Sequence, residues 1–310
     1  MALADSLFKT IVVGVDGRQG GRDALRLAGQ LAEAGGGKVV AVRVFPYRRR
    51  PALAGAPAVE EEREATQVAL DRDLADMGMS TARTHAVGDT SPARALHRMA
   101  ERERADVLVV GSAHRGAVGR VLGGDVALGS LHGSPCPVAV APRGMADRDA
   151  TPLSRIGVGF DGAQESRQAL AVAVALAKSA RAQLELLCAV TAPIPLFAEA
   201  AFADAGILEY RLAAEELISR TLAELDVDAV GKAVVGSPVE TLVELTQRVD
   251  LLVVGSRGWG PIRRILLGST AARLIREAAC PVLVLPRGAA TGEPGEEEPI
   301  TVEAAPRAAA

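Results

Sequence analysis

The chain carries the same frame twice. Asp106 to Ser112 reads DVLVVGS, and 144 residues later Asp250 to Ser256 reads DLLVVGS. Lys9 to Asp16, KTIVVGVD, has its counterpart in Arg155 to Asp161, RIGVGFD, with Asp161-Gly162 standing 145 residues after Asp16-Gly17. From Gly111 to Pro142 and from Gly255 to Pro286 the copies align without a gap, with 12 identities in 32 residues. A period this long marks a duplicated domain and excludes a solenoid of short repeats.

Within each copy, short apolar runs alternate with helical spacing. In the first copy the strands fall at Lys9–Asp16, Lys38–Phe45, Thr81–Val87, Asp106–Val110 and Pro137–Ala141. Between them the spacing predicts helices over Arg22–Ala34, Glu60–Met77, Ala93–Arg104 and Val126–His132. The runs Gly88–Pro92 and Val234–Pro238 read as matching loops. Such alternation predicts an α/β fold, a parallel sheet with helices on both faces. The core has to be aliphatic, because aromatic residues make up only 3% of the chain. Val, Leu and Ala suit strands buried on both faces. The polar stretch Arg143 to Pro152 reads as the linker. The units are residues 1–146 and 153–288, and 289–310, with its GEPGEEEP run, reads as a disordered tail.

A net charge of -3 gives no reason to expect nucleic acid or an anionic membrane. No apolar run reaches the ~18 residues of a membrane span, and MALADSLFKT does not read as a signal peptide. Cys136, Cys188 and Cys280 fit reduced, buried thiols in a cytosolic protein. His85, His97, His114 and His132 lack ligand spacing, so no metal site is expected and surface positions are the default.

The most informative stretch is Leu251 to Pro286. An apolar strand ends at Gly255, Gly258 follows, then Gly268, Ser269 and Thr270, then an amphipathic segment and the Cys280-Pro281-Val282 entry to a last strand. Unpaired backbone N–H groups and the positive end of a helix dipole make such a junction suited to phosphate. Glycine permits close approach, and Ser269 and Thr270 offer hydroxyl donors that can cap a helix starting near Ala271. Arg257, Arg263 and Arg264 add positive charge.

These residues, with Asp161 ending the first strand of the second copy, resemble those of a tandem universal stress protein over roughly residues 5 to 288. The resemblance implies a doubly wound, Rossmann-like five-stranded sheet of order 3-2-1-4-5 in each copy. It implies ATP, with Mg2+, on Gly255, Gly258, Gly268, Ser269 and Thr270. Asp161 would face the ribose or adenine, and the backbone near Ala189 the base. Ligands on such sheets sit beyond the carboxyl ends of the strands where the order reverses.

The first copy departs from the pattern. His114 stands where the second has Gly258, and Asp125 where it has Ser269, although Gly124 is kept. A weaker site is expected there on Asp16, Val44, Gly111 and Gly124. No G-K-[ST] motif, catalytic triad order or metal cluster occurs, so the expectation is a cytosolic stress-response protein that binds ATP without being an efficient enzyme. A slow ATPase or nucleotidyl-transfer enzyme, and an interaction module with closed pockets, are the competing readings. Single-domain relatives pair through strand five. Pro137–Ala141 and Pro281–Leu285 are therefore expected to pair inside the chain as a pseudo-dimer, and a homodimer of two chains is compatible with the same logic. Trp259 reads as packing on the neighbouring copy, and Arg48 to Arg50 as a solvated loop near the first pocket.

Overall fold

The computed structural model describes residues 7–46, 56–112, 125–149, 151–191, 200–256 and 269–286. The first half runs β1 (Thr10–Gly14), α1 (Gln19–Gly35), β2 (Lys38–Pro46), α2 (Ala56–Asp76), β3 (Arg83–Asp89), α3 (Pro92–Glu103), β4 (Val107–Gly111), α4 (Asp125–Leu131) and β5 (Val138–Ala141). The second repeats it as β6 (Arg155–Gly159), α5 (Gln164–Ala180), β7 (Gln183–Val190), α6 (Ala200–Glu224), β8 (Ala229–Val235), α7 (Pro238–Leu245), β9 (Leu251–Gly255), α8 (Ser269–Glu277) and β10 (Val282–Leu285).

Each half orders its parallel strands 3-2-1-4-5, and the halves merge into one ten-stranded sheet, β3-β2-β1-β4-β5-β10-β9-β6-β7-β8. The join is antiparallel, with Val282 opposite Val140, Leu283 opposite Ala139 and Val284 opposite Val138. The pairing through strand five is therefore made inside the chain. Neither β5 nor β10 is left as an open edge.

Strand residues alternate between two aliphatic layers. Ile11, Val13, Val107, Val109 and Leu283 pack under α1, α2, α5 and α6. Val12, Leu108, Val110, Val282 and Val284 pack under α3, α4, α7 and α8. Double-sided burial is why these segments are continuous apolar runs and not alternating ones. Among the described residues no helix is long and apolar enough to cross a membrane.

Several boundaries move from the sequence reading. α1 begins three residues before Arg22. β3 runs on through the expected Gly88–Pro92 loop as far as Asp89, because the ladder with β2 continues to the pair Pro46 and Asp89. β1 and β6 end at Gly14 and Gly159, so Asp16 and Asp161 stand in the turns beyond them. α8 opens at Ser269, so Ser269 and Thr270 lie in its first turn and not ahead of it. Calls on Arg48 to Arg50, His114, Gly124, Arg257, Gly258, Trp259, Arg263, Arg264, Gly268 and the 289–310 tail lie outside the described residues.

Carboxylates fasten the frame. Asp106 accepts the Thr10 N–H at 2.8 Å. Asp250 accepts the Ser154 N–H, the Ser154 hydroxyl and the Arg155 N–H at 2.8, 2.7 and 2.8 Å. In both copies the Asp that opens the D-x-L-V-V-G-S motif thus pins the start of the first strand to the start of the fourth. Asp23 on α1 is fully buried. It accepts from Gly144 N at 2.9 Å, Ala146 N at 2.8 Å and Gln19 Nε2 at 3.1 Å, tying the linker to the first half. Burial pushes its carboxyl above the usual range, opposed by the two backbone donors. Asp89, at the end of β3, receives Arg94, Arg98 and the Ser91 N–H. The hydrogen bond from Arg94 leads in holding its carboxyl below the usual range.

Two outcomes are expected. Asp23→Ala strands three donors and lowers unfolding free energy by about 2–4 kcal/mol in urea titration. Asp89 has a depressed folded pKa, so its contribution is present above about pH 4 and lost as pH falls through the lower folded value. Asp89→Asn should cost about 1–3 kcal/mol at neutral pH. The gap to the wild-type chain should close as thermal unfolding is repeated from about pH 4 toward pH 2.

Candidate functional site

Each half has a cavity at the carboxyl ends of its strands, at the point where strand order reverses. In the second half it measures about 270 Å³ and lies between the ends of β6 and β9, walled by Phe160, Asp161, Glu165, Ala189, Leu242 and Gly255 among others. In the first half it measures about 410 Å³, and Asp16, Arg18, Val44, Gly111 and Ser112 are among its walls. The geometry brings Asp161, Ala189 and Gly255 together, and separately Asp16, Val44 and Gly111.

The turn after each first strand is built alike. Gly17 and Gly162 have φ of 72° and 77°, which an L side chain adopts only under strain. A Cβ at Gly17 would also fall 1.5 Å from Nη2 of Arg43, which is paired with Asp73 at 3.1 Å. The aspartates before these glycines differ in their work. Asp16 Oδ1 accepts the N–H groups of Arg18 and Gly21, each at 3.0 Å. It supplies the cap that Arg18 at the N-cap position cannot. Asp161 Oδ1 accepts the Ala163 N–H at 3.1 Å in the corresponding turn, and the Asp161 N–H donates to Ser166 Oγ at 3.3 Å.

Gly111 and Gly255 meet a close backbone approach. A Cβ at Gly111 would lie 2.0 Å from the Gly20 carbonyl oxygen, and one at Gly255 would lie 2.6 Å from that of Glu165. Packing of the first helix against the tip of the fourth strand demands glycine at both positions, whatever binds beyond. Directly after them, Ser112 and Ser256 are 4% and 0% exposed, and their hydroxyls have no hydrogen-bond partner among the described residues.

Sequence reasoning missed Glu165, which enters the cleft from the first turn of α5, and the orphaned serine hydroxyls. The first was signalled by its place four residues after Asp161. The second was printed in the repeated V-V-G-S. The thiols of Cys136 and Cys280 are buried, and burial pushes both up to about 12. Burial, and then the charge of Asp161, raises that of Cys188. His97 departs from its expected surface position: it is half-buried, with Nε2 2.7 Å from the Ser130 carbonyl. Among the described residues no three His, Cys, Asp or Glu side chains group as a metal site.

Fold and clefts define a duplicated, doubly wound α/β protein with a ligand crevice at the switch point of each half. The universal stress protein family model matches residues 7–142 and again 152–286. A universal stress protein of Mycobacterium tuberculosis is 30% identical over 299 residues, 89% of this chain and 99% of that protein. One from Thermus aquaticus is 29% identical over 129 residues, 41% of this chain and 93% of its own length. The crystal structure of a universal stress protein from Archaeoglobus fulgidus superposes with a TM-score of 0.65 at 19% identity, covering 92% of this chain and all of that one. The chain belongs to the universal stress protein family.

The packing role of Gly255 predicts that Gly255→Ala lowers stability by about 1–3 kcal/mol, read by urea unfolding without added ligand. Ser256→Ala, which removes an orphaned hydroxyl, should leave stability unchanged or raise it.

Proposed function

We propose that this chain is a stress-response regulator of the cytoplasm that binds ATP in its second-half cleft and takes its state from that occupancy. Its folding units are residues 1–146 and 153–288, with 289–310 a tail. The observation that supports the reading is the content of the cleft at the β6–β9 switch point. A carboxylate, Asp161, lines the cleft at the turn after β6. Gly255 ends β9 at the cleft and opens the glycine segment. A carboxylate suits a ribose diol. Backbone N–H groups at a glycine-rich strand-to-helix junction suit phosphate oxygens. The apolar wall of Phe160, Leu187, Leu242 and Val254 suits a base.

The roles follow from chemistry. Asp161 orients the sugar, Ala189 borders the base at the end of β7, and Gly255 lets α5 close against the cleft. Gly258, Gly268, Ser269 and Thr270 carry the phosphates. Mg2+ arrives with the triphosphate, since it is held chiefly by phosphate oxygens and water with few protein ligands. No catalytic base is assigned at the phosphate end, so the bound nucleotide is not hydrolysed efficiently.

Protein purified without added nucleotide should release adenine nucleotide on denaturation, detected by mass spectrometry. Mg-ATP should raise the melting temperature, the stabilisation being about 2.7 kcal/mol at ~100 Kd. Gly268→Asp should abolish both effects. Absence of nucleotide together with no thermal shift would favour the closed-pocket module. Rapid phosphate release lost in Gly268→Asp would favour the enzyme.

A further inference from the structure

The ten-stranded sheet ends on β3 in the first half and on β8 in the second. The two edges are finished differently. On β3 the outward Ala86 N–H donates to Gln67 Oε1 of α2 at 3.0 Å, and Gln67 Nε2 donates to the Thr84 hydroxyl at 2.6 Å. Arg83 and Glu103 form an ion pair at 2.9 Å on the same strand. A side-chain cover and charges are devices that stop a sheet from growing.

β8 has no such cover among the described residues. The Leu184 N–H donates to the Asp228 carbonyl at 2.9 Å, and the Gly236 N–H to the Val190 carbonyl at 3.0 Å. In a parallel ladder the even-numbered residues between them therefore spend their backbone groups on β7. Ala229, Gly231, Ala233 and Val235 point theirs outward, and no described residue hydrogen-bonds them there. Val230 and Val235 are 47% and 39% exposed, and Lys232 is the single charge in AVGKAVV.

A second observation comes from α6, the helix that flanks this edge. Ile218 stands over Gly231 of β8, and Leu217 reaches inward to Gly162 beyond β6. At 100° per residue, the flank opposite Leu217 carries Leu208, Leu212 and Glu215. That flank faces past the open edge, and Leu208 and Leu212 are 54% and 55% exposed on it.

The occupant follows from the seam. There the edge strand of one half pairs antiparallel with its counterpart in the other, β5 with β10, and α1 and α5 share one apolar layer over the join. Antiparallel pairing of β8 with the β8 of a second molecule repeats that arrangement. A two-fold axis normal to the sheet satisfies the outward groups of both strands and sets each α6 beside its mate. Registers centred on Gly231 or Ala233 match outward residues with outward residues. They put Lys232 opposite Val230 or Val234 and not opposite the other Lys232, where like charges would repel. The covered β3 edges then stop growth at both far ends, so the assembly closes as a dimer.

We propose that two molecules of this chain associate through β8, antiparallel and edge to edge, with the outer flanks of their α6 helices packed together. The assignment does not depend on nucleotide binding.

Sedimentation velocity of the full chain should show a species of twice the 32.0 kDa chain mass that dissociates on dilution. Ala233→Pro removes an outward N–H at a place where an edge strand accepts proline, and should raise the dissociation constant at least about tenfold. Leu212→Glu, on the exposed helix flank, should also raise it severalfold. Val68→Glu changes an exposed apolar residue of α2 and should leave it unchanged. Hydrogen exchange of the 229–235 amides should slow as chain concentration rises. A chain that stays monomeric at millimolar concentration, a dimer that Ala233→Pro and Leu212→Glu leave intact, or one broken by Val68→Glu would each overturn the proposal.

Discussion

The backbone contact between the first turn of α1 and the tip of β4, repeated between α5 and β9, is the constraint from which both clefts derive. A helix carbonyl lies where a side chain on the strand tip would begin. Only glycine allows that approach. The contact draws the positive end of the helix over the strand ends at the switch point, where the diverging connections leave a crevice. Gly111 and Gly255 therefore hold the site open by letting the helix close on the strand. Their part in any ligand contact is secondary to that geometry.

The same arrangement separates residues that maintain the frame from residues that work in it. Asp106 and Asp250 do one structural task in both copies. Asp16 and Asp161 begin from equivalent turns but diverge. The first caps its helix through Gly21, whereas in the second copy Ser166 Oγ approaches the strand-end backbone instead. Arg43 and Asp73 form a cross-element ion pair in the first half, and Arg43 corresponds to the apolar Cys188 in the second. The sheet tolerates these exchanges because its stability lies in the two aliphatic layers, which both halves share.

Most of the fold was legible from the repeat. Strand positions, order and the strand-five join follow from apolar runs and the family resemblance, since buried parallel strands must be continuous and hydrophobic. Element ends were less legible. The extension of β3 to Asp89 depends on a partner strand, β2, that a local reading of residues 88–92 does not include. The site was legible in its positions and not in its reasons. Gly255 was read as a phosphate contact, yet its nearest demand is the Glu165 carbonyl, 90 residues earlier in the chain. Asp23 was invisible, because a carboxylate inside a helical pattern reads as exposed until the linker amides that it caps are placed beside it.

Duplication followed by internal pairing explains why the halves were free to diverge. Strand five of one copy is the edge partner of strand five of the other, so the antiparallel seam constrains Val138–Ala141 and Val282–Leu285 in both copies. The clefts lie across the first and fourth strands, away from that seam. Substitution at Arg18, Gly20 or Gly21 therefore changes a cleft wall without disturbing the join. In a homodimer of single domains, any such change would appear in both clefts at once. Covalent linkage removes that symmetry. One cleft can keep two carboxylates, Asp161 and Glu165, while the other has glycine, Gly20, in place of the second.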